Sequence, residues 1–251
     1  MAGGIAIAGG CGIGDDLRMS VPLPPPAGRA TPPDCPRARC AARCLRAGAL
    51  LAAVSAVLLT LVALEWGPLV SLDRSVADVL HRVAVGQPGL TRAARVLTDW
   101  VWSPTAMRAA LLAVGAWLVW RRELPLALWA AATAALGTVL QQGLKAAVDR
   151  PRPHWPDPVD SARYAAFPSG HALTATVVCG LLVWLLALHG TRSTWLGTAT
   201  AAAAVSVAGV SLTRVYLGVH WLSDVVGGAL LGAALLMGAV GAYGLGVWRR
   251  G

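Results

Sequence analysis

The chain has 251 residues, of which 56% are hydrophobic and 13% charged, with a mean hydropathy of +0.61. Soluble domains carry about 25% charged residues, so the composition excludes an ordinary water-soluble globule, and a single Phe and three Tyr argue against an aromatic-rich β core. The formal net charge of +9 would suit nucleic acid, a membrane surface or a phosphorylated partner. Its arginines precede and separate the apolar runs, as charges flanking membrane spans do, so no nucleic-acid partner is expected.

Residues 1–45 contain Pro22, Pro24, Pro25, Pro26, Pro32 and Pro33 with several glycines and arginines, which predicts a disordered cytoplasmic tail without secretory-signal character. Cys35, Cys40 and Cys44 have no fourth partner nearby and read as solvated cysteines, and no metal site is expected there. From 46 to 250 a single membrane domain is expected. Six apolar segments, 46–66, 104–120, 124–144, 171–189, 194–213 and 222–248, each approach the roughly 20 residues that cross a bilayer. The predicted fold is therefore all-α, a polytopic helix bundle with about six transmembrane helices.

Within the 67–103 connection, Arg74, Arg82, Arg92 and Arg95 lie in an amphipathic stretch with Val76, Val79, Leu80 and Val83 that reads as a surface helix on the bilayer. Arg121, Arg122, Glu123 and Pro125 break the second span from the third as a tight hairpin. In the sixth span, Gly227, Gly228 and Gly232 predict close helix packing within the bundle, with a homodimer as their second use. Trp100, Trp102, Trp117, Trp120, Trp184, Trp195 and Trp248 are expected in an interfacial belt. With an even number of spans, the arginine-rich tail, Arg121, Arg122, Arg192, Arg249 and Arg250 fall on one side. This places both termini in the cytoplasm of a multi-pass plasma (inner) membrane protein, and the segments 67–103, 145–170 and 214–221 on the extracytoplasmic side.

The basic residues that break this pattern lie in three strings on that second side: Lys145-x6-Arg152-Pro153, Pro168-Ser169-Gly170-His171 and Thr213-Arg214-x5-His220-x3-Asp224. Lys145, Arg152 and Arg214 would repel one another in a common pocket unless an anion lay among them, and guanidinium forks match phosphate oxygens. Ser169 and Gly170 open the fourth span, so the amides of 169–171 are expected to point from a helix N-terminus at that anion, with Gly170 permitting close approach. His220 and Asp224 are spaced i, i+4, so the carboxylate can hold Nδ1–H and present Nε2 as a nucleophile. His171 is then the acid that protonates the leaving oxygen and the base that later activates water. The cations take the role of a metal ion, and no cofactor is expected. Arg150 reads as a loop charge paired with Asp149. His154, Trp155 and Tyr164 are expected at the membrane interface, and His81 and His189 have no identifiable partner.

In order and spacing, the three strings resemble the signature blocks of the type 2 phosphatidic acid phosphatase (PAP2) superfamily, with Thr213 where Ser is usual. The resemblance implies an integral-membrane lipid phosphatase with the roles given above, acting on phosphatidic acid, phosphatidylglycerol phosphate or a polyprenyl diphosphate. A phosphotransferase using the same phosphohistidine and a non-catalytic lipid-handling protein are the alternatives. The resemblance leaves residues 1–45 unexplained.

Overall fold

The computed structural model describes residues 36–248, and every regular element among them is helical. The order is α1 (Pro36–Ala63), α2 (Gly67–Gly86), α3 (Pro88–Val96), a π-helical turn (Leu97–Val101), α4 (Pro104–Trp120), α5 (Leu124–Val148), α6 (Gly170–Leu188), α7 (Ser193–Tyr216) and α8 (Leu222–Trp248). Helix α1 thus starts ten residues before the expected boundary at 46, and Cys40 and Cys44 lie on it as free thiols. Residues 1–35, with Cys35 and most of the expected tail, lie outside the described residues, as do Arg249 and Arg250.

Among the described residues, α1, α5, α6, α7 and α8 are long and apolar enough to cross a membrane. The second expected span, α4, has only 17 residues, about 26 Å of helix, at the short end of what a bilayer requires. It begins cleanly because Ser103 caps it, accepting the Ala106 amide at 3.0 Å ahead of Pro104. It then turns into α5 through 121–123, as the polar break predicts.

The core centres on α6, whose Leu173, Val177, Val178 and Leu181 pack with Leu111 of α4, Ala130 of α5 and Leu236 of α8. In a membrane, packing and not water exclusion drives such contacts, so small residues matter where backbones meet. A Cβ on Gly228 would lie 2.5 Å from the carbonyl oxygen of Ser169, and Gly227 and Gly232 face Phe167 and Thr176. The glycine stripe of α8 is spent on this internal contact, the first of its two expected uses.

Helix α2 buries Asp73, Ala77, His81 and Ala84, one stripe at helical spacing, and leaves Val79 and Val83 exposed. The valines on which its amphipathic reading rested therefore include two that point away from the protein, and the small and polar face points in. Trp184, expected in the belt, packs edge-on against Tyr243 of α8 at 5.2 Å.

Candidate active site

The three strings converge where the adjoining ends of α5, α6, α7 and α8 meet under the 149–169 segment. Lys145 lies in the last turn of α5, which ends at Asp149 in the left-handed region (φ 44°, ψ 39°) ahead of Pro151 and Pro153. Arg214 lies in the last turn of α7, and His220 in the short link to α8, whose first turn carries Asp224. His171, in the first turn of α6, is within Coulombic range of Arg214, His220, Arg152 and Lys145. Lys145, Arg214, His220, Asp224 and Ser169 are all buried.

His220 Nδ1 is 3.3 Å from Asp224 Oδ2, which also accepts the Trp221 amide at 2.9 Å. On the other edge of the ring, Nε2 is 3.2 Å from Nη1 of Arg152. A guanidinium has no acceptor, so Nε2 must accept, and the proton belongs on Nδ1 facing the carboxylate. Burial pulls the His220 pKa down to about 4 against the opposing pull of Asp224, so the ring is neutral at pH 7. Burial also lowers Arg152, to about 10, with Arg214 adding repulsion, and it stays charged at neutral pH.

The 149–169 segment is tied to these cations. Arg152 donates to the carbonyls of Tyr164, Val219 and Arg163, and Lys145 to that of Ala165. Arg214 Nη1 is 3.8 Å from Asp160, while its Nε, like Ser169 Oγ, is buried with no hydrogen-bond partner among the described residues. Two orphaned polar atoms beside three cations form a site whose polarity suits an anion.

Several sequence expectations change here. The Ser169 amide donates to the backbone oxygen of Asp224 at 2.9 Å and so is not aimed at an anion. Gly170 permits the approach of Gln141, whose Nε2 would lie 2.7 Å from a Cβ at that position. Arg150 is not paired with Asp149: its Nη1 donates to Asp224 Oδ1 at 2.7 Å and its Nη2 to Asp73 Oδ2 at 2.8 Å. His81 contacts Asp157 at 3.1 Å, a bond that draws the Asp157 pKa down, and stacks on Trp155 with centroids 4.0 Å apart. Trp155, half-buried, donates to the Gly218 carbonyl at 3.0 Å, whereas Tyr164 is exposed. His189 lies 3.1 Å from Glu123.

Residues 126–245, which include all three strings, match the PAP2 superfamily. That match spans just under half of the chain. It is 35% identical over 98 residues to the phosphatidylglycerophosphatase B of Bacillus subtilis (strain 168), a match covering 39% of this chain. In that match the chain spans about half the length of the curated relative, 48%. Its fold is similar to the crystal structure of a transmembrane PAP2-type phosphatidylglycerolphosphate phosphatase from Bacillus subtilis, with a TM-score of 0.69 and 23% identity. That likeness covers 81% of this chain and 96% of the other.

Sequence reasoning missed Asp73, Ser223 and Asp160 and misread Arg150. Asp73 had a legible signal: it shares a helical stripe with Ala77, His81 and Ala84, where a carboxylate needs a buried partner.

Proposed function

We propose that this chain is a PAP2-type, metal-independent lipid phosphatase that hydrolyses a phosphate or diphosphate monoester of a membrane lipid through a phosphohistidine on His220. The observation that carries this reading is the pair of contacts on one imidazole: Nδ1 toward Asp224 and a neutral Nε2 facing Arg152.

In this mechanism Lys145, Arg152 and Arg214 hold the phosphoryl oxygens, with Ser169 Oγ as a further neutral donor. His220 Nε2 attacks phosphorus, forming an N–P bond as the P–O bond to the lipid breaks, and His171 gives its proton to the departing oxygen. Asp224 holds the ring and offsets the positive charge that grows on it. His171 then takes a proton from water, whose oxygen attacks phosphorus, releasing phosphate and restoring His220. The cations meet the charge that develops on the equatorial oxygens.

A cavity of about 960 Å³ between α6, α7 and α8 supports a lipid as the substrate. Its lining is apolar and includes Val215 and Leu222, which flank Arg214 and His220 in the chain, so a hydrocarbon tail has an adjoining place. Phosphatidic acid, phosphatidylglycerol phosphate and a polyprenyl diphosphate share this chemistry, and the name of the curated relative favours phosphatidylglycerol phosphate. We place the site on the extracytoplasmic face and both termini in the cytoplasm, following the distribution of arginines.

The test is phosphate release by purified protein in EDTA from each of the three lipids, with His220→Ala in parallel. Release from one lipid, unaffected by EDTA and reduced about 10⁴-fold or more in the variant, is expected. Activity that requires added Mg²⁺, or that persists in His220→Ala, overturns the mechanism.

A further inference from the structure

We infer that Asp73 and Arg150 are positioning residues of this reaction: a carboxylate of α2 and a guanidinium of the 149–169 segment fix Asp224 and set how strongly His220 holds its proton. The inference rests on the assignment of His220 as nucleophile. Its starting point is a carboxylate with no exposed surface whose two oxygens face opposite ways. Asp224 Oδ2 faces His220 and the Trp221 amide, while Oδ1 takes Arg150 Nη1 at 2.7 Å. The same Nη1 reaches Ser223 Oγ at 2.7 Å, and Nη2 reaches Asp73 Oδ2 at 2.8 Å. Asp73, 1% exposed, accepts the Ser223 amide at 2.9 Å and the Ser223 hydroxyl at 2.5 Å. Each buried charge therefore has an opposite neighbour, as buried ions require.

The count of charges explains why two acids flank one arginine. An Asp224–Arg150 pair alone would be neutral and would oppose little of the positive charge that develops on His220. With Asp73 the group carries one net negative charge, matching one imidazolium or N-phosphorylated ring. The other groups in Coulombic range of His220 are Arg152 of the 149–169 segment, Arg214 of α7 and His171 of α6, none of them acidic, and Lys145 of α5 lies in range of His171 and Asp224. Asp160, the nearby acid of the 149–169 segment, faces Arg214. The balance at the ring is thus set by Asp224, Arg150 and Asp73. Asp73 lies outside residues 126–245, so α2 supplies part of the support for the catalytic histidine.

The test reads His220 directly, by side-chain ¹⁵N NMR of the full-length, histidine-labelled protein in detergent, with His220→Ala assigning the resonance. Arg150→Gln removes the positive member and is expected to raise the proton affinity of His220 about tenfold, while Asp73→Asn leaves it at or below that of the unaltered protein. With dioctanoyl phosphatidic acid, Arg150→Gln should lower kcat about 100-fold with KM within about threefold, and Arg150→Lys should recover kcat to within about tenfold. A structural role alone would not shift the titration of His220. If Arg150→Gln does not fold, the near-isosteric Asp73→Asn carries the test through a fall in kcat at unchanged KM. An unshifted His220 in Arg150→Gln, or a kcat within about twofold of the unaltered protein in either variant, overturns the inference. Should His220→Ala retain turnover, the phosphohistidine mechanism fails separately, and the titration still decides whether Arg150 and Asp73 act on His220.

Discussion

Helices α6 and α7 both run into the site, yet they are held in different ways. Helix α6 buries eight residues from Ala172 to Leu185 along its whole length, whereas α7, five residues longer, buries only Val210, Arg214, Val215 and Tyr216 near its site end. Packing fixes α6, which brings His171 in on a rigid element. At α7 the firm contacts lie where Arg214 meets the site, and the remainder borders the apolar cavity shared with α8. The polar cluster therefore contributes to the architecture as well as to the chemistry. Removing one partner of such a buried ion pair costs about 3–5 kcal/mol, although the intact pair adds little over an apolar substitute.

This contrast predicts separable failures. Asp224→Asn, which keeps the shape of the site but loses the charge behind His220, should lower kcat by about 10³–10⁴-fold, measured as phosphate release from short-chain lipid. A loss below about tenfold would mean that the ring is oriented by something else. In the packed half, Leu181→Ala deletes a side chain with no exposed surface and should cost about 2–5 kcal/mol in detergent unfolding, with kcat per folded molecule nearly unchanged.

The contribution of His220 to stability has a defined sign. Its pKa is about 4 in the fold against 6.5 unperturbed, so the unfolded chain binds the extra proton between those values. Stability from this group is complete above pH 6.5 and is lost as pH falls toward 4, and the loss should disappear in His220→Ala. The smallest effect is expected on the exposed body of α7: Val205→Ala, at a residue 66% exposed, should change stability by less than about 0.5 kcal/mol and leave turnover alone.

The three strings were legible because each is local: His220 and Asp224 sit one helical turn apart, and the helix ends that carry Lys145, His171 and Arg214 follow from where apolar runs stop. The hairpin at 121–123 was legible for the same reason. Asp73 and Arg150 were not, since Arg150 meets Asp224 across 74 positions of chain and Asp73 across 77, and Asp73 joins the cluster only through the docking of α2. The buried side of α2 was misread because, in a membrane protein, the most apolar face of a helix can be the outer one, while small and polar residues mark the inner face. The Ser169 amide was assigned to an anion on the strength of its place at a helix start, but the neighbouring Asp224 carbonyl lies closer to hand.

The most direct test of the central claim is to trap the phosphorylated enzyme. The protein is mixed with phosphatidic acid labelled with ³²P, quenched within milliseconds in alkali, where phosphohistidine survives, and digested for peptide mapping. Label on the peptide containing His220, absent from His220→Ala, is the predicted result, and it should build up in His171→Ala given a ³²P-labelled aryl phosphate, whose leaving group needs no acid. Turnover without any labelled peptide, or label on a residue other than His220, would contradict the account.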